Sequence, residues 1–163
     1  MTNELEQAAA EQSGLPQPDP ALRLLDRFVG TWTIRGHLVG SDKDTITGEA
    51  TYQWLPGGFF LEQRIKLDFM QYEIESVEFI GYDPETGTFP STVFSNMSPV
   101  PLPYRWEVED DRIRISVSFP PLDATFEGTW SEDRETFAGG WRPNPGADET
   151  VNVAYDVSGH RVT

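Results

Sequence analysis

From Trp32 onward, apolar and polar positions alternate with a period of two. Trp32, Ile34, Gly36 and Leu38 interleave with Thr33, Arg35, His37 and Val39. The same beat runs through Ile46, Gly48, Ala50, Tyr52 and Trp54, then Phe59, Leu61, Gln63, Ile65 and Leu67. Successive side chains of a strand point to opposite faces, so this pattern predicts strands with one buried and one wet face. Further strands are expected over 72–82, 88–96, 104–109, 112–119, 124–131, 135–142 and 150–157. Turn chemistry separates them: the Pro and Gly of 83–87, Asp110-Asp111, and the bends of 131–134 and 143–148, with 96–103 as the long loop.

Ahead of the strands the period changes. Asp19-Pro20 reads as a helix N-cap followed by proline at the first helical position. Leu22, Leu25 and Phe28 then recur on one face, which predicts a short amphipathic helix over 20–28 ended by Gly30. Residues 1–18 are expected as a flexible tail, with a frayed helical turn over 4–11, leaving 19–163 as one domain. About ten sequential antiparallel strands with almost no helix form an all-β chain whose edges are best removed by closure into an up-and-down barrel. A two-sheet sandwich is the alternative, but its crossovers need longer connections than most of those here.

Three stretches carry a resemblance to a known family. They are Phe28-Val29-Gly30-Thr31-Trp32, Leu55-Pro56-Gly57-Gly58-Phe59-Phe60-Leu61, and Ile80-Gly81-Tyr82-Asp83-Pro84 followed by Thr86-Gly87. Gly30-Thr31-Trp32 is similar to the G-x-W that opens lipocalin-like barrels, and the set together resembles the bacterial family DUF1579, a lipocalin-like domain without an established activity. The resemblance implies a lipocalin-like barrel with the N-terminal helix capping one end. It also implies a late arginine packed on the first-strand tryptophan, for which Arg142 and Arg161 are candidates.

Composition narrows the partners. The net charge of −15, from 27 acidic and 12 basic residues, opposes binding to nucleic acid or an anionic membrane. The chain has no cysteine, which removes disulfides and thiolate metal sites. No apolar stretch approaches the roughly 18 residues of a membrane span, and the N-terminus has no basic start or hydrophobic run. A cytoplasmic protein is the expectation, with a homodimer as a possible state.

Strand phase turns a set of aromatic and polar side chains inward. The candidate ligand-binding residues are Tyr52, Trp54, Gln63, Glu78, Ser95, Tyr104, Trp106, Trp130, Trp141 and Tyr155, with Tyr82 and Ser91 also inward. Such a lining suits a small hydrophobic or amphiphilic molecule, although large side chains also simply fill cores. Glu78 stands out because an inward carboxylate must be paired, protonated or used. A bulge within 69–82 would instead turn it outward. Arg64 or Arg105 is the expected partner of any carboxylate on the ligand.

No catalytic or metal-ligating motif is visible, and no cofactor is expected. One alternative is an isomerase, cyclase or hydratase using Glu78 with a tyrosine. The nitrobindins, another lipocalin-like family, hold haem through a histidine near the C-terminus, and His160 lies in such a place. The first strand lacks the glycine spacing of that family, however, and Gly159 is expected to break the strand before His160. A filled barrel acting through its outer surface is a third reading.

Overall fold

The computed structural model describes residues 3–7 and 14–162. Ten strands follow one short helix: η1 (Pro20–Phe28), β1 (Gly30–Leu38), β2 (Ile46–Trp54), β3 (Leu61–Phe69), β4 (Tyr72–Ile80) and β5 (Phe89–Ser95), then β6 (Leu102–Val108), β7 (Arg112–Phe119), β8 (Leu122–Trp130), β9 (Thr136–Pro143) and β10 (Tyr155–Arg161). Each strand pairs antiparallel with the next, and β10 returns to pair with β1, closing the barrel. Closure leaves no unpaired edge. Residues 3–7 are helical, while the rest of the turn expected over 4–11 lies outside the described residues.

The helix is a 3₁₀ helix, and its sequence explains why. Leu22, Leu25 and Phe28 are spaced by three, so three residues per turn stacks all of them on one face. All three are buried. The Asp19 side chain accepts from the Ala21 N–H at 2.9 Å, and Pro20 sets the first helical residue.

At the other end, the last carbonyls of the helix need donors. The Val29 N–H donates to the Asp26 carbonyl at 3.1 Å. The Arg27, Phe28 and Val29 carbonyls accept from Arg161 Nη2 at 2.6 Å, Trp32 Nε1 at 2.8 Å and Arg161 Nη1 at 2.7 Å. The Arg161 guanidinium also lies 4.3 Å from the Trp32 ring centre. Arg161, and not Arg142, is therefore the arginine on the first-strand tryptophan; Arg142 is on the outer face, bonded to Asp156. Arg27 adds bonds to the Glu109 and Asp110 carbonyls of the β6–β7 turn. The helix thus seals one end of the barrel.

Two expectations about the last hairpin need correction. The final strand spans Tyr155–Arg161 rather than 150–157, and the longest connection is 144–154 rather than 96–103. Gly159 does not break the strand. It pairs with Ile34 on one side and Phe137 on the other, and the Phe137 ring occupies the place a Cβ would need, 2.4 Å away. Glycine is required here by a packed ring, not by a turn. In the long connection, Asn152 is buried, accepts from the Asp123 N–H at 2.8 Å and donates to the Pro121 and Asp148 carbonyls, tying this loop to the β7–β8 hairpin.

Replacing Arg161 by Ala should remove two charge-assisted bonds and a cation–π contact, lowering stability by about 2–4 kcal/mol. Urea unfolding would show the midpoint fall with an unchanged m-value, and Arg161→Lys should recover less than half of the loss because an ammonium cannot reach both carbonyls in one plane.

Candidate functional site

Inward side chains change character along the barrel axis. Beneath the helix they are sealed: Phe28, Trp32, Leu61, Ile80 and Phe89 are 0–2 % exposed. Towards the far end, Ile65, Leu67, Tyr104, Ile115, Trp141 and Val157 are in the inward phase yet only half-buried. Inward residues stay accessible when the space they line is open to solvent. The barrel therefore has a packed half beneath the helix and a more open half beyond it, in which Ile46, Leu102, Val117 and Ala124 are nonetheless buried.

A polar cluster sits at the junction. Tyr52, Gln63 and Glu78 are register partners on β2, β3 and β4, so their inward side chains lie side by side. Glu78 Oε2 accepts from Ser91 Oγ at 2.6 Å and from Trp106 Nε1 at 2.8 Å, and Gln63 Nε2 donates to the Tyr52 hydroxyl at 2.8 Å. Phe28 lies under the cluster, its ring 5.5 Å from Tyr52 and 5.4 Å from Trp106, the latter edge to face. Glu78 faces inward, and no bulge turns it outward: the β3–β4 pairing is continuous from Leu61↔Ile80 to Phe69↔Tyr72.

Both donors to Glu78 converge on one oxygen. Oε1 has no hydrogen-bond partner among the described residues, and the same holds for the Gln63 carbonyl oxygen and the Tyr104 and Tyr155 hydroxyls. None of these is sealed away, because the single fully buried, unpartnered side-chain polar atom among the described residues is Trp130 Nε1. The free oxygens therefore border accessible space. Burial pushes the Glu78 carboxyl above its ordinary range, against the opposing pull of Ser91 and Trp106. Burial, helped by the Glu78 charge, pushes Tyr104 up to about 12. Tyr52 and Tyr155 are also raised by burial, with smaller contributions from Glu78 and Tyr104 respectively.

Aromatic rings meet across parts of the open half. Tyr104 on β6 meets Trp141 on β9 across the lumen, with ring centres 6.1 Å apart. Phe69 on β3 meets Tyr155 on β10 in the same way at 4.9 Å, and Phe126 stands 5.8 Å from Trp141. Neither cross-lumen pair joins neighbouring strands, so both span the interior.

The remaining predicted residues go elsewhere. Trp54 belongs to the helix cap, donating to Asp26 Oδ1 at 2.8 Å with Arg23 stacked 4.8 Å above it. Trp130 packs in the closed half against Phe28, Trp32 and Phe137. Ser95 shapes the β5–β6 loop, its Oγ accepting from the Met97 N–H at 3.1 Å. Ser91 carries the contact that Ser95 does not, because it lies deeper along the inward face of β5. Arg64 and Arg105 are exposed on the outer wall, in the opposite phase to Gln63 and Tyr104, so neither reaches the lumen. His160 is also outside and exposed, its Nδ1 3.3 Å from Thr136 Oγ1. Two outer-wall grooves, of about 560 and 350 Å³, are lined chiefly by outward side chains of β1, β9 and β10 and of β2–β5. Among the described residues no group of His, Cys, Asp or Glu is arranged to hold a metal, and no helix is long and apolar enough to cross a membrane.

A carboxyl whose folded pKa is raised stabilises the fold below its unfolded value, near 4.5, and that contribution is lost as pH rises through the folded value. Every tenfold gain in the carboxyl's affinity for its proton corresponds to about 1.4 kcal/mol. Glu78→Gln keeps an acceptor for Ser91 and Trp106 without the charge. It should therefore be more stable than the wild type at neutral pH, with the difference shrinking towards pH 4. Parallel unfolding curves across that range test this, and a difference independent of pH would show that burial does not raise the Glu78 carboxyl.

A search of curated proteins finds no match to this chain. Among solved structures, the crystal structure of Rv2717c from M. tuberculosis is similar, with a TM-score of 0.56 over 90 % of this chain and all of the other, at 13 % sequence identity. At that identity the likeness concerns the fold alone. The family model for DUF1579, a protein family of unknown function, matches residues 17–118 and so covers the capping helix, β1 to β6 and nearly all of β7. The match spans more than half of the sequence, and the chain belongs to the DUF1579 family.

Proposed function

We propose that this protein binds a small, largely apolar molecule with a polar head in the open half of its barrel. The observation that carries this reading is the division of the interior. Beneath the helix Phe28, Trp32, Leu61, Ile80 and Phe89 are 0–2 % exposed, while towards the other end inward Ile65, Leu67, Ile115 and Val157 stay half-buried above a polar floor. A barrel built only as a scaffold gains from filling both halves alike. An apolar wall with a few placed polar groups is the usual composition of a small-molecule site. The mouth fits this role, since Val39, Met70, Tyr72, Met97, Phe119 and Val151 are all exposed around it. Apolar side chains concentrated on one rim favour entry of an apolar guest.

The floor also favours a second reading. A carboxyl of raised pKa within electrostatic reach of Tyr104 is a fitting acid–base pair for an isomerase, cyclase or hydratase. A ligand recovered chemically unchanged after prolonged incubation with the protein overturns that reading and leaves the binding one.

Native mass spectrometry of the purified full chain and titration with Nile red test the binding site directly. A one-to-one adduct and saturable blue-shifted emission are expected. Ser76→Trp, which places a large ring at a half-buried inward position of β4, should weaken probe binding at least about tenfold, the loss expected when a guest's contact area is occupied. Failure of the wild type to take up any adduct or probe, or undiminished binding by the variant, would overturn a site in the lumen.

A further inference from the structure

We propose that the lumen selects an organic cation: an apolar molecule bearing an ammonium group, held by Glu78 and the surrounding aromatic rings. This rests on the reading of the open half as a binding site. The first support is the distribution of charge. Glu78 is the one charged side chain among the described residues that faces the open half. Arg161 is engaged by the helix cap, and Arg64, Lys66, Arg105, Arg142, His37 and His160 all stand on the outer wall. A carboxylate guest would find no cation inside and would face Glu78.

The second support is the geometry at Glu78. Ser91 and Trp106 both donate to Oε2, leaving Oε1 as an unpaired acceptor at the border of accessible space. An ammonium supplies the missing donor together with the opposite charge. Tyr104 lies within electrostatic reach of Glu78, with Trp141 packed against it, and the faces of such rings attract cations once water is excluded. Nothing else in the cluster competes for that oxygen, because Gln63 donates to Tyr52.

The third support comes from the mouth. The loops at the open end carry Asp42, Asp44, Asp148 and Glu149 against one base, Lys43. The net charge of −15 favours the approach of cations over anions at either end of the barrel, this one included. Path and floor therefore agree in sign.

Three probes of equal chain length decide the matter: octylammonium, octanoate and 1-octanol, titrated calorimetrically into the full-length wild type and Glu78→Gln at neutral pH. Octylammonium should bind at least about tenfold more tightly than octanoate, and Glu78→Gln should remove most of that preference. The wild-type comparison holds whether or not the variant folds. Equal affinity for all three, or tighter binding of octanoate or octanol, overturns cation selection while preserving the binding site. A preference that survives in Glu78→Gln assigns it to the mouth alone and overturns the role of the floor. Failure of all three to bind overturns both this inference and the site itself.

Discussion

Everything in the interior depends on how the helix is fastened to the barrel, and one arginine does most of that. Arg161 comes from the last strand, stacks on Trp32 of the first, and fills the Arg27 and Val29 carbonyls at the helix end, with the Phe28 carbonyl taken by Trp32 itself. These contacts join the seam where the barrel closes to the element that seals its end. With the helix held there, Phe28 is driven into the axis, and the polar cluster is built on Phe28. The strand pairing alone would leave a tube. The arginine makes it a cup.

The polar floor is expensive by the usual rules of a core. Burying a carboxyl without a counter-ion raises its pKa and lowers stability once it ionises. Ser91 and Trp106 offset part of this, but both serve the same oxygen. A sequence selected only for stability would place an apolar residue there, as Ile80 and Leu61 do one layer below. Glu78, Gln63 and Tyr52 together break the local rule that a core layer is apolar, and the proposed binding site rests on that departure.

Much of the architecture was legible in the alternation alone, because period-two patterning carries both strand identity and facing. It placed Glu78, Gln63, Tyr104 and Tyr155 inward, as they are. It also put Arg64 and Arg105 outward, so assigning them to a ligand ran against their own phase. What alternation cannot supply is depth along the axis. Trp54 and Trp130 share the inward phase of Trp141, yet they lie under the helix, and only the docking of the helix decides which end is sealed. Gly159 illustrates another limit. A glycine in a strand looks like a break until the ring that fills its space is known, and Phe137 is far from it in sequence. The choice between Arg142 and Arg161 likewise needed the β1–β10 register, which sets Trp32 opposite Arg161.

Closure of β1 on β10 has a consequence for how the protein can be handled. The chain enters the barrel through the capping helix, with Pro18 against the Gly58 turn, and leaves it at Val162 beside Thr31. Both points are on the sealed end, opposite the apolar rim. A fusion partner or surface anchor attached through either of them would present the mouth outward and unobstructed. Tethering at that end would leave the loops of the opposite end free of the support.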